Sequence, residues 1–491
     1  MGLHAGRWIA LWLIALGTRF SAAFFLPNAE QDGYSYAEII ARLTERLSAG
    51  QLRLEDLFGF WLPLFPLASA VVNLFLGNAL VAGKILSASC GAASGVLVFG
   101  ITEKVTKNTG LACLAFALIA CNPLHLLYSA ACMTDVPHSC LVLASLWFVV
   151  KRHWVVAAIF GALAGGIRIE AWTLVIVLPL IQLAYERHLS LLALTILLVP
   201  PLAWLGISYL AAGHPFAYFE ERARYHASYL DFFPTRHGFT SADIQQDAVY
   251  FLLGANRIVV LAIVGAAALA IWEGIARRRA ISLSVGATLG GTLVLFGFVL
   301  FAYVTKRQPV ILPRYGLTFF VLGLPLLMWL IEVGLKRFQR PWVTILIAGT
   351  VIALCLRETK GQLVVISKVL ADFDAHRRVA AALTEAFKSS AGQQRCFSDD
   401  VAIRVLSGLP ADSFLRSTTT DHAARQNMQA FKSYLRDKQV AYLVFTRIED
   451  SLPPKLFPDL GRSAEFETAD FEMVTVAFSP FGPDVWLYRL R

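Results

Sequence analysis

Charge is scarce in this chain. Only 16% of its 491 residues are Asp, Glu, Lys or Arg, whereas 57% are hydrophobic, at a mean hydropathy of +0.60. That is far more apolar surface than a soluble core can absorb, so the composition excludes a soluble globular protein and indicates a polytopic membrane protein. Paired cysteine is lacking as well: seven cysteines are scattered with no CxxC and no paired spacing, which excludes a metal knuckle and a disulfide framework. Cys396, in the polar tail, is expected to stay a thiol. The net charge of +9 is not carried by basic stretches interleaved with base-stacking aromatics, so nucleic acid is excluded as a partner. Lys and Arg fall instead in short clusters between apolar runs and report topology. No internal repeat and no low-complexity linker is present. The run from Trp8 to Phe25 follows Arg7 as a signal peptide would, yet no small-residue cleavage site interrupts it, so it is expected to be retained as a first span.

What is there is a series of apolar runs, oriented by counting Lys and Arg in the short loops. The first, about 8 to 26, leaves the N-terminus inside and the loop "NAEQDGYSY", Asn28 to Tyr36, outside. From Tyr36 to Ala49 the apolar positions Tyr36, Ile39, Ile40, Leu43 and Leu47 recur at helical spacing opposite Glu38, Arg42, Glu45 and Arg46, which predicts a helix on the membrane surface, stopped by Gly50. The run from Trp61 to Asn78 carries Pro63 and Pro66 and is short for a span, so it is expected to lie on or half in the membrane. Spans then follow at about 79–101, 110–128 and 137–150, a glycine-rich segment rises to "GGIRIEAW", and further spans run at about 171–184, 189–211 and 250–273. One more span leads to "TKRQPVILPRY", the next descends to Lys336, Arg337 and Arg340, and the last occupies about 341–356. The total is about eleven, with a cytoplasmic N-terminus, an external C-terminus and basic internal loops. Counting 61–78 as a span would turn the later basic loops outward.

Residues 1–356 are therefore expected to form a transmembrane domain whose external loop 27–79 carries surface helices, and 357–491 a separate external domain. In that tail "RCFSDDVAIRVL", "VAYLVFT", "FEMVTVAFS" and "VWLYRL" read as short β-rich runs, with a helix around Ala423 to Asp437, hence a small α/β fold. The pair Asp399 and Asp400 reads as a loop or a helix cap.

Under this topology one face collects Glu30 and Asp32, then Asp135 in "MTDVP", then Arg168 and Glu170 in "RIE". It also collects Arg222, Arg224, His226, Arg236 and His237 of the long loop 212–249, and finally Lys306, Arg307 and Arg314. Carboxylates and guanidinium groups at headgroup level suit a substrate with a sugar, a phosphate and a hydrocarbon tail. Each has a plainer reading. Acids beside membrane helices are commonly solvated loop residues, Arg168 and Glu170 suit an ion pair closing a helix break, and Asp135 before Pro137 suits a helix N-cap. Arg19 and Lys84, inside apolar runs, are expected to need partners, which the loop acids could supply.

The ordered set of an acidic residue in the first loop, a surface helix, an aromatic-Pro-x-x-Pro segment (Trp61, Pro63, Pro66), Thr134-Asp135-x-Pro137, the "GGxRxE" break, "PRY" and a C-terminal α/β domain resembles the GT-C superfamily of glycosyltransferases. Within it the similarity is to the bacterial branch of the dolichyl-phosphate-mannose protein mannosyltransferases, which includes the aminoarabinose transferases of lipid A. The resemblance implies inverting transfer of a sugar from a polyprenyl-phosphate donor on the outer face of a bacterial inner membrane, to a lipid, glycan or protein acceptor. It makes Asp32 the candidate general base and Asp135 the second acid, and for a phosphate leaving group it calls for cations, Lys306, Arg307 or Arg314. Glu30 would orient the acceptor or a metal; Tyr34, Arg168 and Glu170 join as substrate-binding candidates. Acidic side chains suit a divalent cation as well as a base, so no cofactor follows and metal dependence stays open. One departure is that Leu62 precedes Pro63 where relatives often carry Lys or His. Two rival classes are a lipid or glycan transporter or flippase, whose matched interrupted halves are missing from the sequence, and a non-catalytic assembly subunit.

Overall fold

The computed structural model describes residues 2–28, 30–223, 240–275, 281–305, 311–338, 341–389, 394–446, 452–457, 470–478 and 484–491. The chain divides into two compact units: Met1–Leu26 with Ile39–Val364, and Pro27–Glu38 with Val365–Arg491.

The first unit is helical. Among the described residues, seven helices are long and apolar enough to cross a membrane, and eight if the pair Thr109–Ala120 and Pro123–Ser129, bent by 63°, is one span. The sequence predicts about eleven. Asp135–Val150 and Trp154–Ile167 are apolar but shorter. The segment expected to stop short of crossing forms a helix of 13 residues, Leu64–Leu76. At 1.5 Å per residue it reaches about 20 Å, less than the roughly 30 Å of a bilayer core. Gly77, at φ +65°, ends it in the left-handed region, and Asn78 caps the next helix, Ala79–Thr106, by accepting from Val81 N–H.

Arg19 and Lys84 do not behave as expected. Among the described residues Arg19 donates to the carbonyls of Ile119 and Ala120, at 2.8 and 3.4 Å, and Lys84 Nζ to the carbonyl of Leu26 at 2.7 Å. Carbonyls at helix ends, rather than the loop acids, take these two charges.

Two helices meet backbone to backbone. A Cβ on Gly254 would fall 1.7 Å from the carbonyl oxygen of Pro313, and one on Gly316 2.3 Å from the nitrogen of Ala255. Only glycine at both positions lets Ser241–Ala255 approach the start of Pro313–Phe338 this closely, which fixes where Arg314 and Tyr315 stand.

The second unit holds a five-stranded sheet of β1 (Arg395–Phe397), β2 (Phe414–Leu415), β3 (Val440–Thr446), β4 (Phe471–Ala477) and β5 (Val485–Leu490), in the order β2-β1-β3-β5-β4. β1 pairs in parallel with β2 and β3, and β5 runs antiparallel to β3 and β4. β3 is central and apolar along nearly its whole length because both faces are covered. Leu443 and Phe445 pack with Phe431 and Leu435 of the helix Met428–Asp437, while Tyr442 and Val444 pack with Val379 and Leu383 of the long helix Pro341–Lys388. The run "RCFSDDVAIRVL" is not β throughout: after β1 the Asp400 carboxylate accepts from Ile403 N–H at 3.2 Å and starts the helix Val401–Ser407. An apolar stretch too short to show its period is settled by that cap.

Candidate functional site

In the first unit the helix Asp135–Val150 opens with Asp135 in its first turn and Pro137 just behind it, where a carboxylate meets the positive end of the helix and proline costs no hydrogen bond. The helix Trp154–Ile167 ends at Arg168, whose backbone is extended, and a short 3-10 turn, Ile169–Thr173, follows. Trp172 Nε1 donates to the Gly165 carbonyl at 2.9 Å and holds the break closed.

The break aims Arg168 at two acids. Its Nη1 lies 2.5 Å from Asp135 Oδ1, while Nε and Nη2 donate to Glu170 Oε1 at 3.2 and 2.7 Å. The side chain of Asp135 is 3% exposed and those of Arg168 and Glu170 are 16% exposed, so water solvates these charges only in small part and the planar guanidinium serves both. The Arg168 and Arg314 guanidinium groups lie 5.3 and 5.6 Å from the ring centre of Tyr315, within cation–π range. Ser139 and Thr318 hydroxyls bond at 2.7 Å and tie the two helices together.

These groups line a recess of about 300 Å³ with His138 and Thr318, walled on its apolar side by Leu295, Val299 and Phe319. His138, one turn beyond Asp135, is 3% exposed. Neither of its ring nitrogens, nor Asp135 Oδ2, has a hydrogen-bond partner among the described residues. Buried polar atoms of this kind cost free energy unless something meets them. The recess thus offers acceptors, donors and two cations against an apolar wall.

Of the candidates read from the sequence, the structure brings together Asp135, Arg168, Glu170 and Arg314. Lys306 and Arg307 lie outside the described residues, as do Arg224, His226, Arg236 and His237. Arg222 is described: its Nη1 donates to the Tyr218 hydroxyl at 2.9 Å and its guanidinium lies 5.2 Å from the Phe60 ring.

The first-loop candidates belong to the second unit. Asp32 sits, half-buried, in the first turn of the helix Gln31–Ser48. Asn28 folds over that turn, its Nδ2 donating to the Glu30 carbonyl at 2.9 Å, and Gly33 leaves it room: a Cβ there would meet the Asn28 side chain at 1.9 Å. Glu30 and Tyr34 share a recess of about 260 Å³ with Asn28, Gln31, Asp372 and His376. Burial raises the Tyr34 phenol above its ordinary range, and the charges of Asp400 and Asp372 add to this, so it stays a neutral hydroxyl. Glu38 accepts from Arg404 at 2.7 and 3.1 Å and from Arg416 at 3.2 Å. Among the described residues no group of three or more His, Cys, Asp or Glu side chains is placed to hold a metal ion.

Sequence reasoning missed His138, Tyr315 and Thr318 in the first unit. The i+3 spacing of His138 from Asp135 could have found it. It also missed His376, to which no local pattern points.

No protein-family model matches this chain, and no curated protein matches it. Among solved structures, ArnT from Cupriavidus metallidurans in the apo state superposes with a TM-score of 0.60 at 13% identity, covering 99% of this chain and 98% of that one. The same protein bound to undecaprenyl phosphate superposes with a TM-score of 0.57 at 13% identity, covering 98% of each chain. The chain therefore has the GT-C-like fold that the sequence resemblance implied: a polytopic helical membrane protein with a C-terminal α/β domain.

Proposed function

We propose that this chain is a membrane glycosyltransferase that moves a sugar from a polyprenyl-phosphate donor to an acceptor on the outer face of a bacterial inner membrane, with inversion. The observation that carries the reading is the Asp135–Arg168–Glu170 cluster beside Arg314 and an apolar wall. A lipid phosphate needs fixed cations and a hydrocarbon surface, and a sugar needs buried acceptors and donors; that recess supplies both. The fold likeness to a protein whose solved structure holds undecaprenyl phosphate supports the same donor class.

In this reading Asp32 takes the proton of the acceptor hydroxyl, the acceptor oxygen bonds to the anomeric carbon, and the bond to the phosphate oxygen breaks with its electron pair. Arg314, with Lys306 or Arg307, stabilises the charge that gathers on the phosphate. Asp135 Oδ2 and His138 receive sugar hydroxyls, Arg168 holds both carboxylates in place, and Glu30 and Tyr34 orient the acceptor. In this reading the N-terminus is cytoplasmic and the C-terminal domain external, an orientation that the basic loops support.

The test is transfer of label from a synthetic polyprenyl phospho-sugar by purified protein in detergent, with no ion gradient. Asp32→Asn should abolish transfer while expression and the unfolding midpoint stay normal. Near-normal turnover by that variant would end the base assignment, and a wild-type protein that moves lipid only across sealed vesicles would be a flippase.

A further inference from the structure

We infer that His376 is a positioning residue for Asp32, acting through Gln31, the residue next to it in the chain. The inference rests on Asp32 being the base. The segment Pro27–Glu38 is part of the sheet-containing unit, and its contacts there are side-chain bonds placed on both sides of Asp32. On one side Gln31 Nε2 lies 3.2 Å from His376 Nε2, and that same ring nitrogen lies 3.1 Å from Asp400 Oδ2. On the other side Glu38 holds Arg404, which also donates to the Ser398 carbonyl at 2.9 Å, in the loop leading to Asp400.

The ring is itself fixed. Its Nδ1 lies 2.8 Å from the Asp372 carbonyl one helical turn back, and it is 2% exposed. Asp400 is fully buried and held by the helix cap it makes. With Nδ1–H given to Asp372, the single Nε2–H is shared between Asp400 Oδ2 and the Gln31 amide, whose oxygen rather than nitrogen must then face the ring. Gln31 is therefore anchored to a buried, hydrogen-bonded pair of its unit, and the next peptide carries Asp32. A base must stand within hydrogen-bond reach of the proton that it takes, and a shift of about 1 Å can cost about 100-fold.

Two variants of the full-length protein decide it, read as kcat and donor KM in the labelled-donor assay together with the unfolding midpoint. Gln31→Ala should lower kcat about tenfold or more, with donor KM and unfolding midpoint unchanged. Gln31→Glu, which keeps an acceptor facing the ring, should stay within about threefold of wild type. The inference is overturned by full kcat in Gln31→Ala, or by a fall in unfolding midpoint that parallels the lost activity. Full turnover by Asp32→Asn alone would instead sink the base assignment, so the two failures are distinct.

Discussion

Arg168 reaches Asp135 across 33 positions of sequence and closes on it at 2.5 Å, with the rest of its guanidinium spent on Glu170. One cation between a buried and a largely buried acid makes each of the three depend on the others. Arg168→Ala would leave two carboxylates facing each other out of water, which should cost about 3–5 kcal/mol and abolish transfer. Arg168→Lys places one ammonium where a planar fork is needed, so it should recover part of the stability and little of the activity. The triple change of Arg168→Met, Asp135→Asn and Glu170→Gln should fold about as well as wild type and remain inactive. Thermal unfolding in detergent beside a transfer assay checks all three, and an active triple variant would show the cluster to be a structural device.

His138 gives the opposite sign on stability. Its two ring nitrogens lack partners among the described residues although the side chain is buried, and an unmet buried polar group costs about 1–3 kcal/mol. His138→Phe keeps the ring volume and removes that cost, so the unfolding midpoint should hold or rise. Transfer should fall at least about tenfold, through donor KM, because the recess loses a polar contact to the sugar. Unchanged kinetics in a well-folded His138→Phe protein would remove His138 from the site.

Much of this was legible before the fold was seen. Asp135, Arg168 and Glu170 announce themselves because ionisable residues beside apolar runs must have partners, and "GGIRIE" interrupts a helix where one of them is needed. Gly50 and Gly77 mark helix ends through φ values of +64° and +65°, a requirement that sequence states directly. Asp400 was readable as a cap, but its second bond, to His376 on another helix, was not, since 24 residues separate the two and no period connects them. The partners of Arg19 and Lys84 are not legible for a related reason: backbone carbonyls at helix ends accept hydrogen bonds from cations as carboxylates do, and sequence does not show where they point.

The His376–Asp400 pair gives the second unit a dependence on pH whose direction follows from its neighbours. Burial alone lowers the imidazole pKa, but the Asp400 charge and hydrogen bond, with the carbonyl and carboxylate of Asp372, outweigh it and lift His376 to about 9. Asp400 is pulled the other way: burial raises it, and the imidazolium and the Ile403 N–H, with Arg404 nearby, hold it below its ordinary value. A group whose folded pKa lies above its unfolded value of about 6.5 contributes fully below that pH, and the contribution is lost as pH rises through about 9. For Asp400 the contribution is present above about 3.9 and lost as pH falls. The unit should therefore be most stable between about pH 4 and 6.5 and should give up on the order of 3 kcal/mol toward pH 9. Tyr34, whose phenol is raised above its ordinary range, does not ionise in this window. In His376→Gln the amide keeps a hydrogen bond to Asp400 without the titrating proton, so its unfolding midpoint should be lower at pH 6 and nearly flat from pH 7 to 9. Wild-type and variant curves that fall in parallel over that interval would assign the loss to other groups.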